Sequence, residues 1–302
     1  MPKLSIKLES FNPELKPKIK KLKLYPSEKA FSPLYQGEWV SFTKGHGLEF
    51  AGYRAYYFGD DARLIDWKAS LRTGQLVVRE LQEERLVNTF LLLDVSNSML
   101  FGSRDKLKAE YAAEIACSLA YAVLRSGDNV GLALFSDDYK SVVYPDHGGK
   151  TFKRITNILR DKNNYGGGYK LSQAIKKTMR LLQGHAMLII ISDFIGLEKN
   201  WHKWIELASQ YFEVVGIMVR DVRDRFIPKI GQFQFQDPLT GDVMLFDAKK
   251  YGSYFEKLVQ KTERLIEEWF KRTRSSFIKL QTDQEFSKPL IEFFMEKYRL
   301  YM

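Results

Sequence analysis

From residue 87 onward the sequence alternates between short, wholly apolar runs and longer stretches in which apolar residues return every three or four positions. The runs "VNTFLLLDV" (87–95), "NVGLALFS" (129–136), "SVVYP" (141–145), "HAMLIIISDF" (185–194), "FEVVGIMVRD" (212–221) and "SSFIKLQTD" (275–283) predict strands. Between them, 104–128, 150–161, 170–184, 198–210, 251–273 and 287–301 predict helices. Leu107, Tyr111, Ile115, Leu119 and Ala122 share one stripe of the first helix, and Phe255, Leu258, Thr262, Leu265 and Trp269 one stripe of the fifth. Strands apolar on both faces, separated by amphipathic helices, mean a mostly parallel sheet covered on both sides. The expected fold class is therefore α/β, a doubly wound domain over 87–302.

Two segments break the alternation. Residues 1–86 carry strand-like pieces, "WVSFT" (39–43) and "QLVVREL" (75–81), with many turns and no long helix. Residues 228–247 predict a β-hairpin, "GQFQFQ" and "DVMLF" flanking "DPLTG". The expectation is that 1–86 forms a basic tail and a β-rich region, and that this region and the hairpin insert pack together as a small subdomain.

Composition narrows the class. With 45% apolar and 28% charged residues, the 302-residue chain reads as globular. No apolar run approaches the ~18–20 residues of a membrane span, and the opening "MPKLSIKLES" has no apolar signal core. A cytoplasmic location is expected. Cys117 is the only cysteine, and the four histidines, His46, His147, His185 and His202, are scattered, so disulfide, thiol–histidine and zinc chemistry gain no support. Lys and Arg outnumber Asp and Glu by 47 to 37. Much of that excess lies in "LKPKIKKLKLYPSEK" (15–29), which reads as a solvated tail or lysine-guarded edge strand, or as a docking tract for anionic lipid or nucleic acid.

The stretch "FLLLDVSNSMLFG" (90–102) places a carboxylate and two hydroxyls at the mouth of a buried strand. In open α/β sheets ligands bind beyond the carboxyl ends of the strands, where strand order reverses. Asp94 ends one strand and Asp193, in "IIISDF", another; if the two strands are neighbours, Asp94, Ser96, Ser98 and Asp193 converge. An all-oxygen set suits Mg²⁺. Helix capping and turn hydrogen bonding are the simpler use of the same residues.

"DVSNS" resembles the DxSxS signature of von Willebrand factor type A domains, in which it forms a metal-ion-dependent adhesion site completed by a later strand-end aspartate. "GLEFAGYRAYYFGDDARLIDWKASLRTGQLVVRELQEE" (47–84) is similar to the long motif of the bacterial domain-of-unknown-function family 58, through Arg54, Tyr56, Gly59, Asp60, Asp61, Arg63, Asp66, Trp67, Arg72 and Glu80. "VRDVRDRFIPKIGQFQFQDPLTGD" (219–242) resembles that family's hairpin insert. The resemblance implies an adaptor or co-chaperone role beside a MoxR-type AAA+ ATPase. One departure stands out. Where the family places a threonine after a glycine-rich turn, "YGGGYKLSQAI" (165–175) has Tyr169, followed by Lys170. That predicts a weakened Mg²⁺ site, or one in which the Lys170 ammonium replaces the ion.

Three enzyme-like patterns carry less. "GGKT" (148–151) ends like a phosphate-binding loop, but Tyr144 occupies the position of its first glycine. Asp60 and Asp61 form an acidic pair like that of a two-metal site, but Arg54, Arg63 and Arg72 lie close by, so ion pairs knitting the β region to the core are expected. A metal-dependent hydrolase at Asp94 and Asp193 lacks an evident base or nucleophile. The expected function is a non-enzymatic protein–protein interaction module that meets an acidic group on its partner, with or without Mg²⁺. The alternative is a basic module binding nucleic acid or an anionic membrane surface through 16–29.

Overall fold

The computed structural model describes residues 11–20, 22, 48–83, 88–182, 184, 186–228, 231–237 and 240–299. The expected "WVSFT" strand and positions 21 and 23–29 of the lysine tract lie outside them. The chain divides into two units: Ser32–Leu86, and a second built from Met1–Phe31 together with Val87–Met302.

In the smaller unit, strands β1 (Leu48–Ala55) and β2 (Val77–Glu83) pair antiparallel, with helix α1 (Trp67–Thr73) between them in sequence. Asp66 caps α1 by accepting from Lys68 N and Ala69 N, and Gly74, at φ 71°, closes it in the left-handed conformation. Asp60 accepts two bonds from Arg54, at 2.7 and 2.8 Å, and one from Tyr57 N. The Arg54 guanidinium and that amide hold its pKa down at about 2. Arg79 pairs with Asp66, and Arg63 with Asp61. All three pairs lie within this one unit. The acids are thus ion-pair partners of arginines, Arg54 and Arg63 among them as expected, but these pairs hold this unit together and do not knit it to the core.

The larger unit holds strands β3 (Asn88–Asp94), β4 (Asn129–Phe135), β5 (Tyr139–Asp146), β6 (Ala186–Ser192), β7 (Glu213–Arg220) and β10 (Ser276–Gln281) in one six-stranded sheet of order β10-β7-β6-β3-β4-β5. All neighbours are parallel except β5, an antiparallel edge strand. Side chains alternate with period two between two cores. Leu91, Leu93, Ile189, Ile191, Val215 and Ile217 face one layer, with helices α2 (Lys108–Arg125), α3 (Gly149–Arg160) and α8 (Ser287–Arg299). Phe90, Leu92, Leu188, Ile190, Val214 and Met218 face the other, with α4 (Leu171–Leu181), α5 (Trp201–Tyr211) and α7 (Ala248–Arg272). The doubly wound α/β fold is as the pattern predicts.

Strands β8 (Gln232–Gln236) and β9 (Val243–Asp247) form the expected hairpin just before α7, after the one-turn helix α6 (Val222–Arg225). The hairpin is a sheet of its own and groups with the larger unit, so the expectation of a single subdomain shared with β1 and β2 is corrected.

A second correction concerns the tail. Phe11, Ile19 and Leu22 are buried in the larger unit's core, and residues 11–22 run along α2. Asn12 N donates to Glu110, Glu14 N to Glu114 and Lys18 N to Ser118 Oγ, while Leu22 O accepts from Ser126 Oγ. The α/β unit therefore does not begin at 87. The apolar residues between the lysines decide this: burying a large apolar side chain is worth about 1.5–3 kcal/mol, while Lys16 and Lys20 keep their charges in solvent.

Candidate functional site

Strand β3 lies between β4 and β6, so the sheet's order reverses beside it, at the β3–β6 junction. Leu93 pairs with Ile191, which sets Asp94 level with Ser192 and brings the two carboxyl ends together. The chain then turns through Ser96 into a 3-10 turn, Asn97–Leu100, on one side. On the other, Asp193 is followed by Phe194 at φ 53°, a left-handed backbone uncommon for a bulky residue. Packing of the Phe194 ring against Phe270 and Phe277 holds that conformation.

Asp94, Ser96, Ser98 and Asp193 all meet in this notch, each 1% exposed or less. Asp94 accepts from Ser96 N at 2.8 Å and from Ser192 Oγ at 2.7 Å. The Ser96 and Ser98 hydroxyl oxygens are 3.1 Å apart, and Ser98 Oγ donates to Asp193 Oδ1 at 3.1 Å. Asp193 Oδ1 also accepts from Ile195 N. Its other oxygen accepts from Lys108 Nζ at 2.7 Å, and Lys108 also reaches Asp224 Oδ2 at 2.9 Å. Tyr169 is buried with its hydroxyl 3.2 Å from Ser192 Oγ.

The glycine-rich turn closes the rim. Gly166 N donates to Val95 O, Asn97 N to Gly167 O, and Gly167 N to Asn97 Oδ1. Gly166 and Gly167 hold φ of 106° and 108°, and a Cβ on Gly167 would lie 2.9 Å from both Asp137 Oδ1 and Ser136 Oγ. Only glycine fits this approach.

The chain matches the family described as "Protein of unknown function DUF58" over residues 52–264. It belongs to that family. Among its relatives, the uncharacterized protein Rv1480 of Mycobacterium tuberculosis is 29% identical over 238 residues, 78% of this chain and 74% of that one. YeaD of Bacillus subtilis, also uncharacterized, is 31% identical over 114 residues, 38% of this chain and 26% of that one. The conserved hypothetical protein BatB from Bacteroides thetaiotaomicron is similar in structure over 70% of this chain and 99% of that one, with 14% identity and a TM-score of 0.45.

Electrostatics separate the two aspartates of this DUF58 chain. Burial, and then the charge of Asp193, push the pKa of Asp94 up to about 7. Its hydrogen-bond partners, Ser96 N and Ser192 Oγ, are both neutral. Burial would lower the pKa of Lys108, but the charges of Asp193 and Asp224 outweigh it and hold the ammonium charged. Burial raises Tyr169 well above the usual phenol range, so it stands as a neutral hydroxyl. Lys170 is exposed, its backbone N bonded to Ser136 O. The expectation that Lys170 supplies an ammonium to the notch is corrected: Lys108 does.

An all-oxygen donor set is of the kind Mg²⁺ takes, and here the Ser96–Ser98 and Ser98–Asp193 oxygens are joined by hydrogen bonds of 3.1 Å. Among the described residues no three His, Cys, Asp or Glu side chains group as a cage. An ion here would rest on Asp94 and the two hydroxyls, with Asp193 beside them.

Sequence reasoning passed over Ser192, Lys108 and Asp224. Ser192 was legible, one residue before Asp193 at the same strand end. Lys108 was not, because it reads as the solvent side of an amphipathic helix. Asp224 lies within "VRDVRDRF" as one acid among several charges.

Proposed function

We propose that the protein is a non-enzymatic interaction module whose docking point is an adhesion-type notch of Asp94, Ser96, Ser98 and Asp193. The observation that carries the reading is the convergence of these four side chains at the reversal of strand order. Mg²⁺ is the ion this donor set suits. When bound it supplies a positive centre for a carboxylate on the partner. The four side chains are buried, and the 166–168 turn at the rim is bonded to Val95 and Asn97.

A binding role is favoured over hydrolysis by what surrounds the hydroxyls. Ser96 and Ser98 bond to each other, and Ser98 to Asp193. His202 stacks on Trp269, and His147 lies beside Asp146. Neither histidine is a partner of the notch, so neither activates its serines. The resemblance to family 58 motifs suggests a MoxR-type AAA+ ATPase, or its substrate, as the acidic partner, in the cytoplasm. No helix among the described residues is long and apolar enough to cross a membrane.

The test is capture of a MoxR-type ATPase from the same cell by wild-type protein, by Asp94→Ala and by Lys16→Glu/Lys20→Glu. Capture lost with Asp94→Ala and kept with the lysine variant is the expected result. Capture insensitive to Asp94→Ala overturns the reading. Loss with the lysine variant, together with steep weakening by salt, favours the basic tract binding nucleic acid or anionic membrane instead.

A further inference from the structure

Lys108 is a charged residue at the start of α2 that is 1% exposed. Its ammonium is held from three directions: Asp193 Oδ2 at 2.7 Å, Asp224 Oδ2 at 2.9 Å, and the Phe101 ring with its centroid at 5.7 Å. The second carboxylate is itself fixed, because Asp224 Oδ2 accepts from Asp221 N. Asp221 in turn accepts from Ser103 N, Arg223 N and Thr282 Oγ1. The ammonium is thus braced by segments from four parts of the chain. It occupies the outer oxygen of Asp193, while the inner one takes Ser98 Oγ and Ile195 N.

We propose that Lys108 sets the cation affinity of the notch by acting as a built-in cation on Asp193. This rests on the reading of the notch as a cation-binding docking point and deepens it. With Asp193 already neutralised, the notch keeps its shape without a divalent ion. A second cation arriving beside Asp193 must share that carboxylate with an ammonium that is itself buried and doubly paired. Mg²⁺ therefore rests chiefly on Asp94 and the two hydroxyls and binds weakly. Lys108 is a positioning residue here: it touches Asp193, not the docked group.

The experiment uses the full chain and Mg²⁺ alone as probe, read by titration calorimetry and by thermal melts in EDTA and in about 10 mM MgCl₂. For the wild type, melts that coincide in the two buffers are expected. Lys108→Met/Asp224→Asn removes the ammonium and the carboxylate that would otherwise be left over. It is expected to bind Mg²⁺ at least about tenfold more tightly, and to melt higher with Mg²⁺ than in EDTA. Asp224→Asn alone keeps the ammonium and is expected to bind no more tightly than wild type. A wild type already stabilised by Mg²⁺, or a double variant that binds no more tightly, overturns the inference. If the double variant folds only with Mg²⁺, the ion has replaced the ammonium and the inference stands; if it is unfolded in both buffers, the ion has not replaced it and the inference falls. Partner capture lost in Asp94→Ala is read separately, so failure here leaves the docking reading to its own test.

Discussion

Asp94 and Asp193 are both buried carboxylates in one notch, yet only Asp193 has a cation against it. Ionised Asp94 therefore destabilises the folded chain. In metal-free buffer the native state keeps a proton on Asp94 up to about pH 7, whereas the unfolded chain releases it near about 3.9. Between those values the native state binds more protons, so stability is expected to fall as pH rises from about 4 to about 7, by on the order of 4 kcal/mol. Asp94→Asn is expected to flatten that slope, checked by urea midpoints at about pH 5 and about pH 7. An unchanged slope means that Asp94 is ionised throughout. Burial acts the same way on Cys117, which donates to Leu15 O: it pushes the thiol's pKa up to about 12 and leaves it an inert core thiol.

At the scale of elements, α2 and α7 show what periodicity does and does not report. The stripe Leu107–Ala122 of α2 is in the core as predicted, but the opposite side is buried as well, including Glu110, Glu114 and Ser118. Residues 11–20 and 22 cover it, and their backbone amides, with Lys18 and Lys106 on Glu114, explain why carboxylates and a hydroxyl sit on a helix face that is not solvated. Phe11→Ala is expected to cost roughly 3–5 kcal/mol, measured by equilibrium denaturation; a loss below about 1 kcal/mol, the scale of an ordinary surface change, would mean that the segment is not docked. In α7 the predicted stripe is off by a position. The buried residues include Gly252, Glu263, Ile266 and Phe270, while Leu258 and Leu265 are exposed. Glu263 faces inward because Arg220 and Arg225 meet it there. Hydropathy ranks a glutamate as outward-facing and cannot anticipate two arginines brought by another segment.

At the scale of the whole molecule, 32–86 interrupts one unit. Leu22 ends its described path against Ser126, near the start of β4, where Asn129 Nδ2 donates to Asn88 at the head of β3. Replacing 32–86 with a short Gly/Ser linker is expected to leave a folded α/β unit. Residues 87–302 alone are expected to be markedly less stable than that linked chain, which keeps the segment packed on α2, as compared by denaturant midpoints. Equal midpoints would make 1–31 dispensable. The sequence by itself determined the α/β class, the hairpin, and the placing of Asp94, Ser96, Ser98 and Asp193 at strand ends, because apolar period and strand-end position are local properties that survive folding unchanged. That β3 and β6 are neighbours, so that the four meet, came with the tertiary structure. Only the tertiary structure decided that the lysine-rich start is part of the core, which side of α7 is inside, and that Lys108 rather than Lys170 neutralises Asp193. A buried charged or polar side chain needs counter-charges or hydrogen-bond partners that distant segments supply, and no local pattern records which segments those are.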